Sequence, residues 1–316
     1  MPIPESIAAN LSLPLIAAPM FLVSGPELVI ACCRSGVVGS FPALNQRSSE
    51  GYEQWLQEIN SALGEGDAPY AVNLIVHKTN PRLAADIALT VKYKVPIVIT
   101  SLGAASEVVE AVHSYGGLVY HDVINTRFAK KALDAGVDGL IAVCAGAGGH
   151  AGTYNPFAFI SELRELTDKT IIASGCISNG ESVLAAQACG ADFAYAGTRF
   201  IAAEESLANP GYKAMLVEKD AADIVYTPKI SGVNANFLGS SIKAAGLDLA
   251  KMSTPEMDAE EELSGESKAW KDIWSAGQGV GAIKAVQPTA EIIGQFKQEY
   301  DGALDKLIAQ RGQWRR

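Results

Sequence analysis

Short apolar runs alternate with longer amphipathic stretches along the first 200 residues. The runs occupy 13–20, 37–43, 70–76, 96–102, 118–124, 139–144, 170–177 and 193–200. Continuous short runs of this kind suit strands buried on both faces. The order implies a parallel sheet, because parallel strands need crossover connections that are usually helical. The gaps supply candidate helices. Residues 26–35 open on Pro26, which suits a first helical turn. Residues 50–63 carry apolar positions at near-helical spacing, and 81–94, 106–115, 126–135, 156–166 and 181–189 complete the set. Gly36, Gly116, Gly136 and Gly190 stand where a helix gives way to the next strand, a place that favours a left-handed residue. Eight βα units in about 200 residues predict an α/β chain folded as a (β/α)8 TIM barrel rather than an open, doubly wound sheet.

The beat stops after Phe200. Residues 204–268 are expected to form a smaller helical domain following strand eight, with the acidic stretch 256–266 as a solvated helix face or loop. Trp270 and Trp274, the Gly-rich run 275–281 and an amphipathic helix over 289–310 then return to the barrel. The expected organisation is a barrel over 1–203, the helical unit over 204–268, and a returning segment over 269–316.

Composition narrows the function classes. With 316 residues, 48% of them hydrophobic, the chain can bury a full core without disulfides or metals. A net charge of −10 argues against a nucleic-acid partner. Five Cys with no CxxC pair fit neither a disulfide framework nor a zinc site, and the reading is a reducing compartment. The first ten residues lack the pattern of a signal peptide, and no apolar run approaches the ~20 residues of a membrane span. A soluble, cytoplasmic protein with no membrane partner is expected. The final helix, with its hydrophobic face, suits a homodimer.

Four segments carry candidate chemistry. Residues 173–177, Ala-Ser-Gly-Cys-Ile, end strand seven, and residues 196–200, Ala-Gly-Thr-Arg-Phe, end strand eight. Barrels commonly bind phosphate with the loops after these strands, where backbone N–H groups and a helix N-terminus converge. Gly175 and Gly197 permit close approach, and Ser174 and Thr198 add hydroxyl donors. The third segment, 145–152, reads Ala-Gly-Ala-Gly-Gly-His-Ala-Gly. Gly148 and Gly149 offer no packing side chains, so His150 reads as an acid–base group more readily than as a core residue. The fourth is Ala17-Ala18-Pro19-Met20 at the tip of strand one. Asn73 interrupts an apolar strand three and needs a partner, either backbone or the edge of a heterocycle. Asp122 sits similarly on strand five beside His121, and His77 and His121 end strands that reach the mouth. The four His lack acidic partners at metal spacing, so no metal site is expected.

Together these segments resemble the nitronate monooxygenase family, formerly 2-nitropropane dioxygenases. The carriers are 17–20, Asn73, 148–152, 173–175, 197–200 and the Trp-Ser-Ala-Gly-Gln run 274–278, in the family's order over nearly the whole chain. The resemblance implies non-covalent FMN in a TIM barrel with a second domain over its mouth. It places the phosphate on Ser174, Gly175, Cys176, Gly197 and Thr198. It sets Ala18, Pro19, Met20 and Asn73 against the flavin ring or ribityl chain, with Gly148 and Gly149 passing close by. Ser275, Gly277 and Gln278 close over the ring, and His150 matches the active-site histidine. The implied reaction is oxidation of alkyl nitronates, or nitroalkanes, with O2. In it His150 binds the nitro oxygens, removes the α-proton of a neutral nitroalkane, or pairs as a cation with the anion.

Two positions depart from the family pattern. Cys176 stands where the family usually has a second Gly, and strand five offers Tyr120, His121 and Asp122 where some relatives carry Lys. Two other enzyme readings compete. One is an NAD(P)H-dependent flavin reductase of enoyl-thioesters or quinones on the same scaffold. The other is a flavin-free sugar-phosphate barrel. The absence of Lys from all eight runs counts against Schiff-base chemistry in the second. A non-catalytic scaffold would have no use for glycine-rich loops gathered at one end.

Overall fold

The computed structural model describes residues 3–77, 79–103, 106–255 and 271–314. Eight of its strands form the barrel: β1 (Leu15–Ala17), β2 (Gly39–Pro42), β3 (Tyr70–Ile75), β4 (Ile97–Ser101), β5 (Leu118–Val123), β6 (Gly139–Val143), β8 (Thr170–Ser174) and β9 (Phe193–Ala196). They are parallel, in the order β1-β9-β8-β6-β5-β4-β3-β2. The Ile16–Val38 bridge closes the ring, with Ala17 N–H donating to Val38 O at 2.8 Å and Val38 N–H to Leu15 O at 3.1 Å. Each of the eight apolar runs contains one of these strands.

The connecting helices are α2 (Pro26–Arg34), α3 (Ser49–Ala62), α4 (Leu83–Lys92), α5 (Ser106–His113), α6 (Thr126–Asp134), α7 (Pro156–Leu166), α8 (Gly180–Ala188) and α9 (Thr198–Ile201), with a short α1 (Glu5–Ala8) before β1. Capping residues mark several starts: Ser48, Asn125, Asn155 and Asn179 each accept a backbone N–H of the first turn. At the ends of α6 and α8, Gly136 and Gly190 take φ of 90° and 108°, the left-handed region expected there.

The pleat sorts the strand residues. Ile16, Ala71, Ile99, Tyr120, Ile172 and Phe193 share one buried cluster inside the barrel. Their neighbours, such as Val72, Val98, Val119 and Ile171, join the cluster beneath the helices. Two residues further along six of these strands, toward the C-terminal end, the interior positions are Ala18, Asn73, Ser101, Asp122, Ser174 and Tyr195. The interior therefore turns polar just below the mouth.

The segment expected to be helical is mixed. It holds α10 (Pro210–Val217) and α11 (Gly239–Ala244), but also β10 (Ile224–Thr227) and β11 (Ala235–Leu238), which pair antiparallel. The run Ile-Val-Tyr-Thr is β-branched and aromatic and favours a strand, but four residues are too few to show a period. A two-residue strand from the barrel loop, β7 (Gly149–His150), adds to β11 with Ala235 opposite His150. The acidic stretch 256–266 and Trp270 lie outside the described residues.

The chain then returns through α12 (Thr289–Gln310), which packs on α8 and α2. Glu205 accepts from Thr289 N–H at 2.9 Å and from its Oγ1 at 2.7 Å. Glu299 accepts from Gly180 N–H at 2.8 Å, and Phe200 stacks on Phe296 with centroids 6.1 Å apart. No helix among the described residues is long and apolar enough to cross a membrane.

Candidate active site

Most of the candidate residues lie on or just beyond the C-terminal ends of the barrel strands. Loops from β6, β8, β9 and the returning segment meet there. Gly277 N–H donates to Thr198 Oγ1 at 2.9 Å, and Gln278 N–H donates to Gly146 O at 2.9 Å. The fit is close: a Cβ on Gly148 would lie 2.8 Å from Gly277 N and 3.0 Å from Thr198 Oγ1. A Cβ on Gly277 would lie 2.6 Å from Gly146 O. Asn236 Nδ2 supports the loop from beneath, donating to Ala147 O at 2.7 Å. Tyr212 donates to Ser275 O and stacks on Trp274, fixing the returning segment.

Among the described residues, the backbone N–H groups of Gly175, Cys176, Gly197 and Thr198 have no acceptor. Because Thr198 Oγ1 accepts from Gly277, its own proton remains available for donation. Gly197 opens onto space rather than packing, since a Cβ there would meet nothing closer than Ala18 Cβ and Met20 Sδ at 3.6 Å. Such a cluster of donors suits a phosphate. The expected contribution of a helix N-terminus needs correcting for α8. Asn179 and Ser182 cap each other's backbone, Ser178 N–H donates to Ser182 Oγ, and Gly180 N–H is taken by Glu299. The unpaired donors belong to the loop before α8 and to the start of α9 instead.

Cys176 adopts φ of 60°, the left-handed conformation a glycine would hold at less cost. Its side chain turns toward Gly146, where a Cβ would lie 2.4 Å from Sγ. Gly146 thus makes room for Cys176. Although Cys176 is exposed, partial desolvation of its thiol by these loops pushes its pKa up.

His150 stands on β7 at the edge of the small sheet, with Ser231 Oγ 3.5 Å from Nε2. Burial lowers its pKa to about 4, so the imidazole is neutral near pH 7. Of the roles expected for His150, pairing as a cation is therefore the one that the ligand-free protein does not offer near pH 7. His121 does not reach the mouth. It points to the helix side, with Nδ1 2.7 Å from Thr100 Oγ1, and burial pushes it to about 4 as well. His77 lies beyond β3, 2.8 Å from Thr79 Oγ1.

Asn73 finds its partners within the sheet. Nδ2 donates to Ile99 O at 3.3 Å and to Ser101 Oγ at 2.9 Å. Ser101 in turn donates to Asp122 Oδ2 at 2.6 Å. Since Ile99 O can only accept, the amide orientation is fixed, both Nδ2 protons are committed, and the carbonyl oxygen is left for a ligand. Sequence reasoning missed Ser101 and Tyr195. Their signal was a polar or phenolic residue two positions beyond an interior apolar one, visible only once the pleat is assigned.

The fold is a parallel barrel whose loops gather at the C-terminal ends of its strands. The nitronate monooxygenase family model matches residues 6–299, and the chain belongs to that family as a flavin-dependent oxidoreductase. A nitronate monooxygenase of Paraburkholderia phytofirmans is 27% identical, covering 93% of this chain and 94% of its own. One from Pseudomonas aeruginosa is 25% identical, covering 92% and 96%. Among solved structures, FabK from Thermotoga maritima superposes with a TM-score of 0.82 at 24% identity, covering 96% and 97%. Nitroalkane oxidase from Streptomyces ansochromogenes gives 0.80 at 22%, covering 96% and 99%. Family membership sets aside the flavin-free sugar-phosphate reading.

Proposed function

We propose that the protein binds FMN at the barrel mouth and oxidises alkyl nitronates, or the parent nitroalkanes, with O2. The observation that carries this reading is the group of unpaired N–H donors at 175–176 and 197–198, facing the same end of the barrel as His150 and Asn73. These donors and the Thr198 hydroxyl fit a terminal phosphate, and Ser174, 8% exposed at the end of β8, lies beside them. Ala18 and Met20 border Gly197, so they and the intervening Pro19 fit the side of the same ligand. The Asn73 carbonyl oxygen matches an N–H on a heterocycle edge. Ser275, Gly277 and Gln278 come from the returning segment and restrict water from above.

When bound, the flavin supplies electron acceptance from the substrate and its delivery to O2. The remaining work falls to the protein. His150, neutral in the ligand-free protein, offers one ring nitrogen as donor to the nitro oxygens. An anionic substrate within ~4–6 Å would raise its pKa and strengthen that bond. A neutral nitroalkane would give its α-proton to the unprotonated nitrogen of the neutral ring, though a base held near 4 is weak at pH 7. The nitronate is accordingly the better substrate of the two.

The test is the visible spectrum of the purified protein, followed by anaerobic mixing. Flavin bleached by an alkyl nitronate and not by NADH or NADPH supports the reading. Rapid bleaching by a nicotinamide overturns it in favour of a reductase. A relative from Rhodococcus jostii described as a CoA-thioester dehydrogenase, 23% identical over 72% of this chain, gives that second outcome its substance. H150N should keep the flavin and lose most nitronate turnover. Undiminished turnover in that variant removes His150 from the mechanism.

A further inference from the structure

Among the described residues, Asp122 is the one carboxylate in the polar layer below the mouth. Its strand neighbour Tyr120, two residues earlier, belongs to the barrel interior, so Asp122 faces inward. One carboxylate oxygen, Oδ2, accepts from Ser101 at 2.6 Å. The other, Oδ1, is buried and has no partner. A buried acceptor left unpaired is costly, more so if charged, so such atoms mark a place for a ligand or a proton. Asn73 and Ser101 form a directed chain into Asp122, Asn73 donating to Ser101 and Ser101 to the carboxylate. All three side chains occupy the interior level immediately beneath the candidate flavin site.

We propose that Asp122 is the titrating group of the flavin pocket, its free oxygen Oδ1 hydrogen-bonding the bound flavin ring, as acceptor when ionised and as donor when protonated. This rests on flavin binding at the mouth but not on nitronate as the substrate. Desolvation raises the Asp122 pKa to about 6, with the Ser101 bond pulling the other way. Among the described residues, the surrounding elements leave it alone in that range. β4 contributes Ile97, Ile99 and Ser101 to the interior and β6 contributes Ile141 and Val143, none of them titratable there. The interior titratable neighbours are Tyr120 from below and Tyr195 from β9, whose hydroxyls burial pushes far up. His121 on the same strand points outward, and burial pushes both it and His150 down to about 4. His77, beyond β3, serves as the control.

The readout is the absorbance and fluorescence of FMN on the loaded protein, titrated from pH 4.5 to 8.5 without substrate. The wild type should show a one-proton spectral transition with a midpoint near 6. D122N should lose it, and H77Q should keep it. S101A removes the bond that favours the carboxylate, so its midpoint should rise; this keeps the idea testable even where D122N does not fold. A flat wild-type titration, a transition that survives in D122N, or an unmoved midpoint in S101A overturns the proposal. A protein that shows the transition yet fails to oxidise nitronates leaves the proposal standing and refutes only the substrate. A protein that cannot be loaded with FMN refutes both.

Discussion

The backbone N–H of Gly277 donates to Thr198 Oγ1 at 2.9 Å, joining the returning segment to the loop after the last barrel strand across 79 residues of chain. The bond is buried, so its loss leaves an amide without a partner. It also uses the Thr198 oxygen as an acceptor and leaves the hydroxyl proton free to donate.

Thr198→Val should therefore weaken flavin binding more than it weakens the fold. Losing a buried partner costs roughly 1–3 kcal/mol, which is about 5- to 150-fold in an equilibrium constant. The expected result is an FMN Kd raised by at least ~10-fold, with Thr198→Ser close to wild type. Fluorescence titration of apoprotein with FMN measures it. Equal affinity for the Val variant would show that Thr198 only props up the loop.

Cys176 makes a prediction of the opposite sign. A non-glycine residue in the left-handed region costs about 1–2 kcal/mol, which glycine avoids in part by losing more chain entropy. Cys176→Gly should leave the fold intact, with stability unchanged or raised by up to about 1 kcal/mol and FMN affinity retained. Denaturant unfolding and the same titration check this. A second test uses its exposure. The thiols of Cys32, Cys33 and Cys144 are buried and Cys189 is only partly exposed, so Cys176 should react first with an alkylating reagent. The reaction should be slow at pH 7, because the Cys176 pKa is raised. Bound FMN should protect it. Labelling at the same rate with and without FMN would place Cys176 outside the cradle.

The barrel strands were legible because parallel strands buried on both faces read as unbroken apolar runs. The start of α2 was legible because Pro26 suits a first helical turn, whereas the caps Asn125, Asn155 and Asn179 emerge only from the structure. The small sheet was hidden by length: β7 is two residues long, and its place beside β11 comes from a pairing across 85 residues that no local pattern encodes. The site was legible where glycines and His150 cluster in sequence. It was obscure where it depends on which face of a strand a residue takes. Asp122 and His121 are adjacent in the chain, yet Asp122 enters the barrel and His121 turns beneath the helices.

His121 makes stability sensitive to acid. Its folded pKa is lowered to about 4 from about 6.5, because charging the ring would mean burying a cation. The folded state thus binds fewer protons than the unfolded one in that window. The contribution is fully present above about 6.5 and is lost as pH falls through about 4. Its size is on the order of 3 kcal/mol at neutral pH for a shift of this extent. Thermal unfolding at pH 7, 5 and 4 should show a falling Tm, and His121→Gln should flatten part of that fall. An identical pH profile in the variant would assign the acid sensitivity elsewhere.

Gly148 and Gly197 separate crowding by protein from crowding by ligand. An Ala at Gly148 would bring its Cβ within 2.8 Å of Gly277 N, a backbone atom that cannot swing aside. Gly148→Ala should displace the returning segment, lowering both Tm and FMN affinity. Gly197 has φ of −102°, which any residue adopts, and a Cβ there would stand 3.6 Å from its nearest neighbours. The ligand-free protein should accept Gly197→Ala with a Tm within about 2 °C of wild type, as expected for a change that meets no clash. If the phosphate rests against the 197–198 backbone, the added methyl occupies that space, and FMN affinity should fall by at least ~10-fold, a loss of about 1.4 kcal/mol. Melting the apoprotein and the FMN-loaded protein of each variant resolves the two cases. Gly148→Ala should melt early in both forms, whereas Gly197→Ala should match wild type as apoprotein and lose the stabilisation that FMN confers. A Gly197→Ala protein that still gains the full wild-type increment from FMN would move the phosphate away from this loop.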